Sequence, residues 1–123
     1  MDNFLLLIGG LTFGFGAYLK YEHKQINPSK VTPKIAKEMI KLGAKVLDVR
    51  SKTELKLGKH PNAKNIITSE LNEKKLTENN ITKNDTIIVY CNTGTRARKA
   101  SEKLIELGYK NSYYIVETYK SII

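Results

Sequence analysis

The sequence predicts a three-layer α/β domain, with a central parallel β-sheet flanked by helices, preceded by one hydrophobic N-terminal helix. Short apolar, β-branched runs alternate with segments of helical apolar spacing, which indicates the domain. The leading helix is indicated by the absence of any charged residue from Phe4 to Leu19, whereas all 21 Lys and Arg follow Leu19. We therefore predict an anchor at 1–21, a linker at 22–28 and one domain at 29–123.

The uncharged leader, residues 4–19, is interpreted as a transmembrane anchor. A helix of this length, extended by the flanking Tyr18 and Tyr21, approaches a hydrocarbon core about 30 Å thick. A cleaved secretory signal is the alternative, but such signals begin with a positive region, and Met1–Asn3 supplies none. Because several lysines follow the leader, the positive-inside rule predicts a single-pass protein of the cell membrane with a cytoplasmic domain.

Charge and cysteine content exclude other classes of function. Of the 21 cationic residues only Arg50, Arg96 and Arg98 are arginines, and the lysines are dispersed along a chain of net charge +9. Nucleic-acid binders tend to cluster arginine and aromatic residues, so we predict no nucleic-acid partner. The single cysteine, Cys91, excludes an intrachain disulfide. We also predict no metal site and no cofactor.

The domain is expected to begin with a helix, a strand and a second helix. Thr32 is a helix N-cap before Pro33, and the helix is expected to stop at Gly43. A mostly apolar strand follows at Lys45–Val49. Ser51–Glu54 has the spacing of a capping box, which predicts a helix of one or two turns.

The middle of the domain is expected to contain the central strand. A turn at His60–Asn62 leads to a short strand at Asn65–Thr68 and a weakly helical surface connection at Ser69–Asn79. Thr86–Tyr90 is continuously apolar and β-branched, as expected for a strand with both faces covered. The apolar spacing within Thr95–Leu107 predicts a helix.

The chain is expected to end with a strand at Ser112–Val116 and a short helix or tail at Glu117–Ile123. Alternation of strands and helices predicts right-handed crossovers between parallel strands.

Cys91 is the strongest candidate for chemistry. It lies where a buried strand ends and a helix begins, the position at which open α/β sheets bind ligands. Gly94 allows the intervening loop to curl and direct backbone N–H groups at the sulfur, which should favour the thiolate. Arg96, in the first helical turn, adds a positive fork for an anionic substrate. A lone cysteine is more often a packing residue, but this position favours a nucleophile.

Two segments resemble single-domain rhodaneses. Tyr90–Ala97 (YCNTGTRA) is similar to the active-site pattern Cys-x-x-Gly-x-Arg followed by Ser or Ala. The family's Asp-Val-Arg segment and its Gly-His-Ile-Pro-Gly-Ala turn are similar to Val46–Ser51 (VLDVRS) followed by Glu54, Leu55, Gly58, Pro61, Ala63, Asn65 and Ile66. Together with residues 108–111, the resemblance covers about 29–118.

The resemblance implies a thiosulfate sulfurtransferase-like enzyme. Cys91 would attack a small donor such as thiosulfate, and its persulfide would pass sulfur to an external acceptor: cyanide, a small thiol or a cysteine of a partner protein. Arg50 is expected to pair with Glu54. The implied site comprises the nucleophile Cys91, the substrate-binding residues Asn92, Thr93, Gly94, Thr95 and Arg96, and the loop-supporting residues Asp48, Arg50 and Glu54.

Two alternative functions are compatible with the same fold. Phosphatases with this fold use a loop one residue longer, with arginine six positions after cysteine, where this chain has Ala97. A non-catalytic, membrane-tethered interaction module of the same fold is the other. His60 departs from the family's turn and is interpreted as a turn residue rather than a base, and Val116–Tyr119 replaces the family's usual Gly-Gly-Ile and Trp segment.

Overall fold

A computed structural model describes residues 29–123 and contains a four-stranded sheet in the order β2-β1-β3-β4. All three strand pairings are parallel, which confirms the predicted α/β fold with a parallel sheet. In the central pairing Asp48 lies opposite Tyr90, so the carboxyl ends of β1 and β3 lie side by side. The strands are β1 (Lys45–Asp48), β2 (Ala63–Asn65), β3 (Ile87–Tyr90) and β4 (Ser112–Tyr114).

Two helices begin at the capping residues that the sequence predicts, one before β1 and one after it. Thr32 Oγ1 accepts the N–H of Ile35 at 3.2 Å, and both hydrogen bonds of the Ser51–Glu54 capping box are present. Two short 3-10 helices lie at Thr68–Glu70 and Tyr119–Ile122. The α-helices are α1 (Pro33–Lys41), α2 (Lys52–Leu55), α3 (Glu73–Glu78) and α4 (Thr95–Glu106).

The sheet separates two apolar clusters and so forms the middle of three layers. Successive residues of β3 point to opposite faces, as in any strand. Val89 and Cys91 therefore belong to the cluster that includes Leu104 of α4. Tyr90 belongs to the opposite cluster with Ala36 of α1. This alternation places the cysteine and the preceding tyrosine on different sides of the sheet.

Two regions differ most from the sequence prediction, and the strands β1, β3 and β4 are one or two residues shorter than predicted. The second strand is Ala63–Asn65 rather than Asn65–Thr68, because this edge strand carries a polar, partly exposed sequence without an apolar signature. The polar connection that follows contains α3, whose N-cap Asn72 accepts the N–H of Lys75 and whose Leu76 is buried in the core. The burial of Leu76 thus stabilises a helix that is hard to recognise from its otherwise polar sequence.

The predicted anchor (1–21) and linker (22–28) lie outside the described residues. Among the residues from 29 onward, no helix has the length and hydrophobicity that crossing a membrane requires.

Candidate active site

The thiol of Cys91 lies at the carboxyl end of β3, enclosed by the loop that leads into α4. Its Sγ accepts backbone N–H groups from Gly94 at 3.1 Å and from Ala97 at 3.4 Å. Cys91 is fully buried, with a relative exposure of 0%. The sulfur therefore lies in a cradle of backbone donors at the start of a helix, an arrangement that stabilises negative charge.

Gly94 gives the loop its shape. Its φ of +94° lies in the left-handed region that side chains disfavour. A Cβ at this position would lie 2.8 Å from the Cα of Val116, closer than packed atoms allow. Glycine is therefore required both by the backbone conformation and by the close approach of Val116, which covers this side of the loop.

Arg96 and Glu54 form a bidentate ion pair beside the loop. Arg96 Nη1 donates to Glu54 Oε1 and Nη2 to Oε2, both at 2.8 Å. Oε2 also accepts the side-chain N–H of Asn92 at 2.8 Å, and Oε1 accepts the backbone N–H of Ser51 at 2.8 Å. The predicted pairing of Arg50 with Glu54 is therefore wrong, because Glu54 turns toward the loop and binds Arg96.

Arg50 instead belongs to a buried network with Asp48. Arg50 Nη2 lies 2.8 Å from Asp48 Oδ2 and 2.7 Å from the carbonyl oxygen of Gly58. The Tyr90 hydroxyl donates to Asp48 Oδ2 at 2.6 Å. The Arg50 guanidinium also lies 5.4 Å and 5.3 Å from the ring centres of Tyr90 and Tyr119. These contacts offset the desolvation cost of burying the Arg50–Asp48 ion pair.

The contacts of both networks shift the pKa values of their members. Hydrogen bonds from Arg96 and Ser51 lower the pKa of Glu54 to about 2. Hydrogen bonding to Glu54 raises the pKa of Arg96, and hydrogen bonding to Asp48 raises that of Arg50. Burial, followed by the bond to Asp48, raises the pKa of the Tyr90 hydroxyl. Glu54 is thus ionised throughout the neutral range.

His60 lies in the turn before β2 and is buried. Its backbone N–H donates to the Tyr90 hydroxyl at 3.0 Å, and its Nδ1 accepts the N–H of Asn62 at 3.1 Å. Burial lowers its pKa. These contacts are those of a turn residue, as the sequence suggests.

The structure brings most of the predicted site residues together at the carboxyl ends of the strands. Cys91 and Gly94 are buried, Arg96 is partly exposed, and Asn92, Thr93 and Thr95 lie on the exposed side of the loop. Within residues 29–123, no His, Cys, Asp and Glu side chains form a group that could hold a metal ion.

Two residues that hydrogen-bond to the site at the carboxyl ends of the strands were not predicted from the sequence. Tyr90 supplies the hydroxyl bound to Asp48, and Asn65 Nδ2 donates to the carbonyl oxygens of Asp48 and Arg50 at 2.9 Å each. A signal for Tyr90 was present, since it is the only residue of β3 with a polar group on its side chain. Asn65 gave no comparable signal, because asparagine is common in turns and at strand ends.

Comparisons with known proteins found one matching family model. The family model described as a rhodanese-like domain matches residues 32–121. A comparison with curated proteins found no match.

Solved structures share the fold. A rhodanese-related protein from Thermoplasma volcanium is 32% identical with a TM-score of 0.63, and the match covers 76% of this chain and 88% of that one. A rhodanese from E. coli, determined with anions, is 32% identical with a TM-score of 0.53, over 65% of this chain and 92% of that one. The human single-domain sulfurtransferase TSTD1 has a TM-score of 0.63 at 22% identity, over 77% and 95% of the two chains.

Proposed function

Because the chain belongs to the family of rhodanese-like domains, we propose that it is a sulfurtransferase that carries sulfane sulfur as a persulfide on Cys91. One observation carries this proposal: Cys91 Sγ accepts two backbone N–H groups, from Gly94 at 3.1 Å and from Ala97 at 3.4 Å. Such donors stabilise a thiolate before the reaction and a charged persulfide after it.

The first half-reaction loads the cysteine. The Cys91 thiolate attacks the outer sulfur of a donor such as thiosulfate. A Cys91 S–S bond forms, the S–S bond of thiosulfate breaks, and its electron pair leaves with sulfite. No proton is required, because a thiolate and a thiosulfate dianion give a persulfide anion and a sulfite dianion.

The second half-reaction transfers the outer sulfur of the Cys91 persulfide to an acceptor. A nucleophilic acceptor attacks the outer sulfur of the persulfide, and the Cys91 thiolate leaves with the bonding electrons. Because the chain contains one cysteine, no second thiol of the same chain can resolve the persulfide. The proposed acceptor is external: cyanide, a small thiol or the cysteine of a partner protein.

The test is direct detection of the persulfide. The full chain is reduced, incubated with thiosulfate, with methanethiosulfonate or without donor, and Cys91 is examined by mass spectrometry. We expect the mass of one additional sulfur on Cys91, lost on addition of cyanide with formation of thiocyanate. Cys91→Ser is the matched control and should show neither. An unmodified Cys91 after exposure to both donors would refute the proposal.

A non-catalytic interaction module is the second candidate, and the full burial of Cys91 favours it. A module whose cysteine only packs in the core would take up no sulfur in the same assay. The persulfide measurement therefore separates the two functions.

We further propose that residues 4–19 tether the domain to the cell membrane, with the domain in the cytoplasm. The uncharged leader and the lysines that follow it support this placement. Protease added to intact cells should leave the domain undigested, whereas protease added after permeabilisation should digest it. Digestion of the domain in intact cells would contradict the proposed orientation.

A further inference from the structure

The two terminal nitrogens of the Arg96 guanidinium already bind a carboxylate of the same chain. Nη1 and Nη2 each lie 2.8 Å from a different oxygen of Glu54. A fork of this kind is the group that would clamp the oxygens of an anionic donor. Any such donor must share it with Glu54 or displace Glu54 from it.

Glu54 is itself held firmly at this position. Its two oxygens also accept N–H groups from Asn92 and from the backbone of Ser51, each at 2.8 Å. The Ser51 contact belongs to the capping box of α2, and the Asn92 contact joins the carboxylate to the loop itself. Displacing Glu54 would therefore break one contact at the start of α2 and another with the loop.

The chain has no arginine without a carboxylate partner. Its three arginines form the pairs Arg50–Asp48 at 2.8 Å, Arg96–Glu54 at 2.8 Å and Arg98–Glu102 at 3.9 Å. The first of these is buried and the last lies further along α4. Neither offers a free guanidinium that could replace Arg96 for a donor at Cys91.

These contacts determine the local charge. A Cys91 thiolate and the Arg96–Glu54 ion pair together carry one net negative charge. Repulsion between like charges grows with the charge of the incoming donor, so it acts twice as strongly on a dianion as on a monoanion at the same position.

We propose that Glu54 determines donor specificity: by neutralising Arg96, it favours sulfane-sulfur donors of low charge, such as a thiosulfonate monoanion, over the thiosulfate dianion. The inference rests on the proposed function, because it concerns the donor that Cys91 attacks. It makes Glu54 a specificity-determining residue in addition to a support of the loop.

Methanethiosulfonate and thiosulfate form a matched donor pair, since a methyl group replaces one charged oxygen. With either donor the Cys91 thiolate attacks the outer sulfur, a Cys91 S–S bond forms and the donor's S–S bond breaks. The electron pair leaves with methanesulfinate in one case and with sulfite in the other. The cysteine sulfur is oxidised to the persulfide level, and the sulfonyl sulfur that departs is reduced.

The experiment measures kcat/KM of the full chain for both donors, with cyanide as acceptor, in a series of variants that changes the charge of the pair. Glu54→Gln makes the pair positive, Arg96→Gln makes it negative, and the double variant restores the neutral charge of the wild-type pair. Glu102→Gln is the matched control, since it removes the carboxylate partner of another arginine on the same helix. Thermal unfolding verifies that each variant is folded.

The readout is the ratio of kcat/KM for methanethiosulfonate to kcat/KM for thiosulfate, in which any change in the reactivity of Cys91 cancels. We expect Glu54→Gln to lower this ratio by about tenfold and Arg96→Gln to raise it, whereas the double variant and Glu102→Gln stay near wild type. Each substitution is present in one single variant and in the double variant. If Glu54→Gln does not fold, the comparison of Arg96→Gln with the double variant still tests the proposal.

The outcomes distinguish this inference from the function on which it rests. If wild type forms no persulfide with either donor, the proposed function fails and the donor specificity falls with it. If wild type transfers sulfur but the donor ratio is the same in all folded variants, only the specificity is refuted, and Glu54 is a structural support of the loop.

Discussion

Two arginine–carboxylate pairs lie near the carboxyl ends of β1 and β3, and they differ mainly in their surroundings. The Arg50–Asp48 and Arg96–Glu54 pairs have the same shortest N–O distance, 2.8 Å. The side chains of the first pair are 4% and 0% exposed, whereas those of the second are 40% and 25% exposed. An equal shortest distance thus accompanies very different screening by solvent.

Because of this difference in burial, the two pairs are expected to affect the stability of the fold to different degrees. Asp48 and Arg50 are enclosed by Tyr90 and Tyr119, so removing one partner leaves an unpaired charge inside the protein. Glu54 and Arg96 remain within reach of water, which can replace a lost partner at small cost. The buried pair is therefore expected to stabilise the fold beneath the loop strongly, whereas the exposed pair is expected to contribute little to stability.

The largest effect is expected from breaking the buried pair. Arg50→Ala leaves the Asp48 carboxylate without its cation and removes the hydrogen bond to the Gly58 carbonyl oxygen. We expect the free energy of unfolding to fall by about 3–5 kcal/mol, measured by urea denaturation of the full chain.

Arg98→Ala is the matched control for this measurement. Arg98 and Glu102 lie 3.9 Å apart with side chains that are 49% and 50% exposed, so its loss should change the free energy of unfolding by less than about 0.5 kcal/mol. Equal effects of Arg50→Ala and Arg98→Ala would show that burial does not separate the two kinds of pair.

Local sequence signals predicted the helix starts and the central strand well. Thr32 and Ser51 cap helices within three residues of themselves, so their effect can be read from adjacent sequence. Ile87–Tyr90 is buried on both faces, and its continuous apolar character reflects that burial. The edge strand Ala63–Asn65 is polar and only partly buried, which is why its boundaries could not be predicted in the same way.

The position of the loop after the central strand was predicted, but the ion pairs around it were not. The loop from Cys91 to Arg96 is contiguous in sequence, so its role follows from one short segment. The partner of Glu54 lies 42 residues away and depends on how β1 and β3 align. Arg50 is nearer in sequence, and only the fold shows that it turns toward Asp48, into the space beside Tyr90.

The smallest expected effect comes from the exposed pair, and it depends on pH. Glu54→Gln retains an oxygen that can accept the Ser51 N–H, but its amide nitrogen cannot accept from Asn92 or from the second Arg96 nitrogen, so the substitution removes the charge together with these two hydrogen bonds. Because Arg96 is 40% exposed, we expect the variant to lose less than about 1 kcal/mol of unfolding free energy near neutral pH. Urea denaturation of both proteins at a series of pH values measures this difference.

The direction of the pH dependence follows from the pKa of Glu54, which contact with Arg96 and Ser51 lowers from an ordinary 4.5 to about 2. A carboxyl group whose folded-state pKa is lowered stabilises the fold fully above its unfolded-state pKa, and this contribution is lost as pH falls toward the folded-state value. The difference between wild type and Glu54→Gln should therefore be constant above about pH 5 and shrink as pH falls from 4.5 toward 2. Asp85, whose pKa is also lowered, chiefly by the Thr82 N–H, is present in both proteins and cancels from the difference. A difference that stayed constant to pH 3 would mean that the charge of Glu54 contributes nothing, and the exposed pair would then matter for donor chemistry alone.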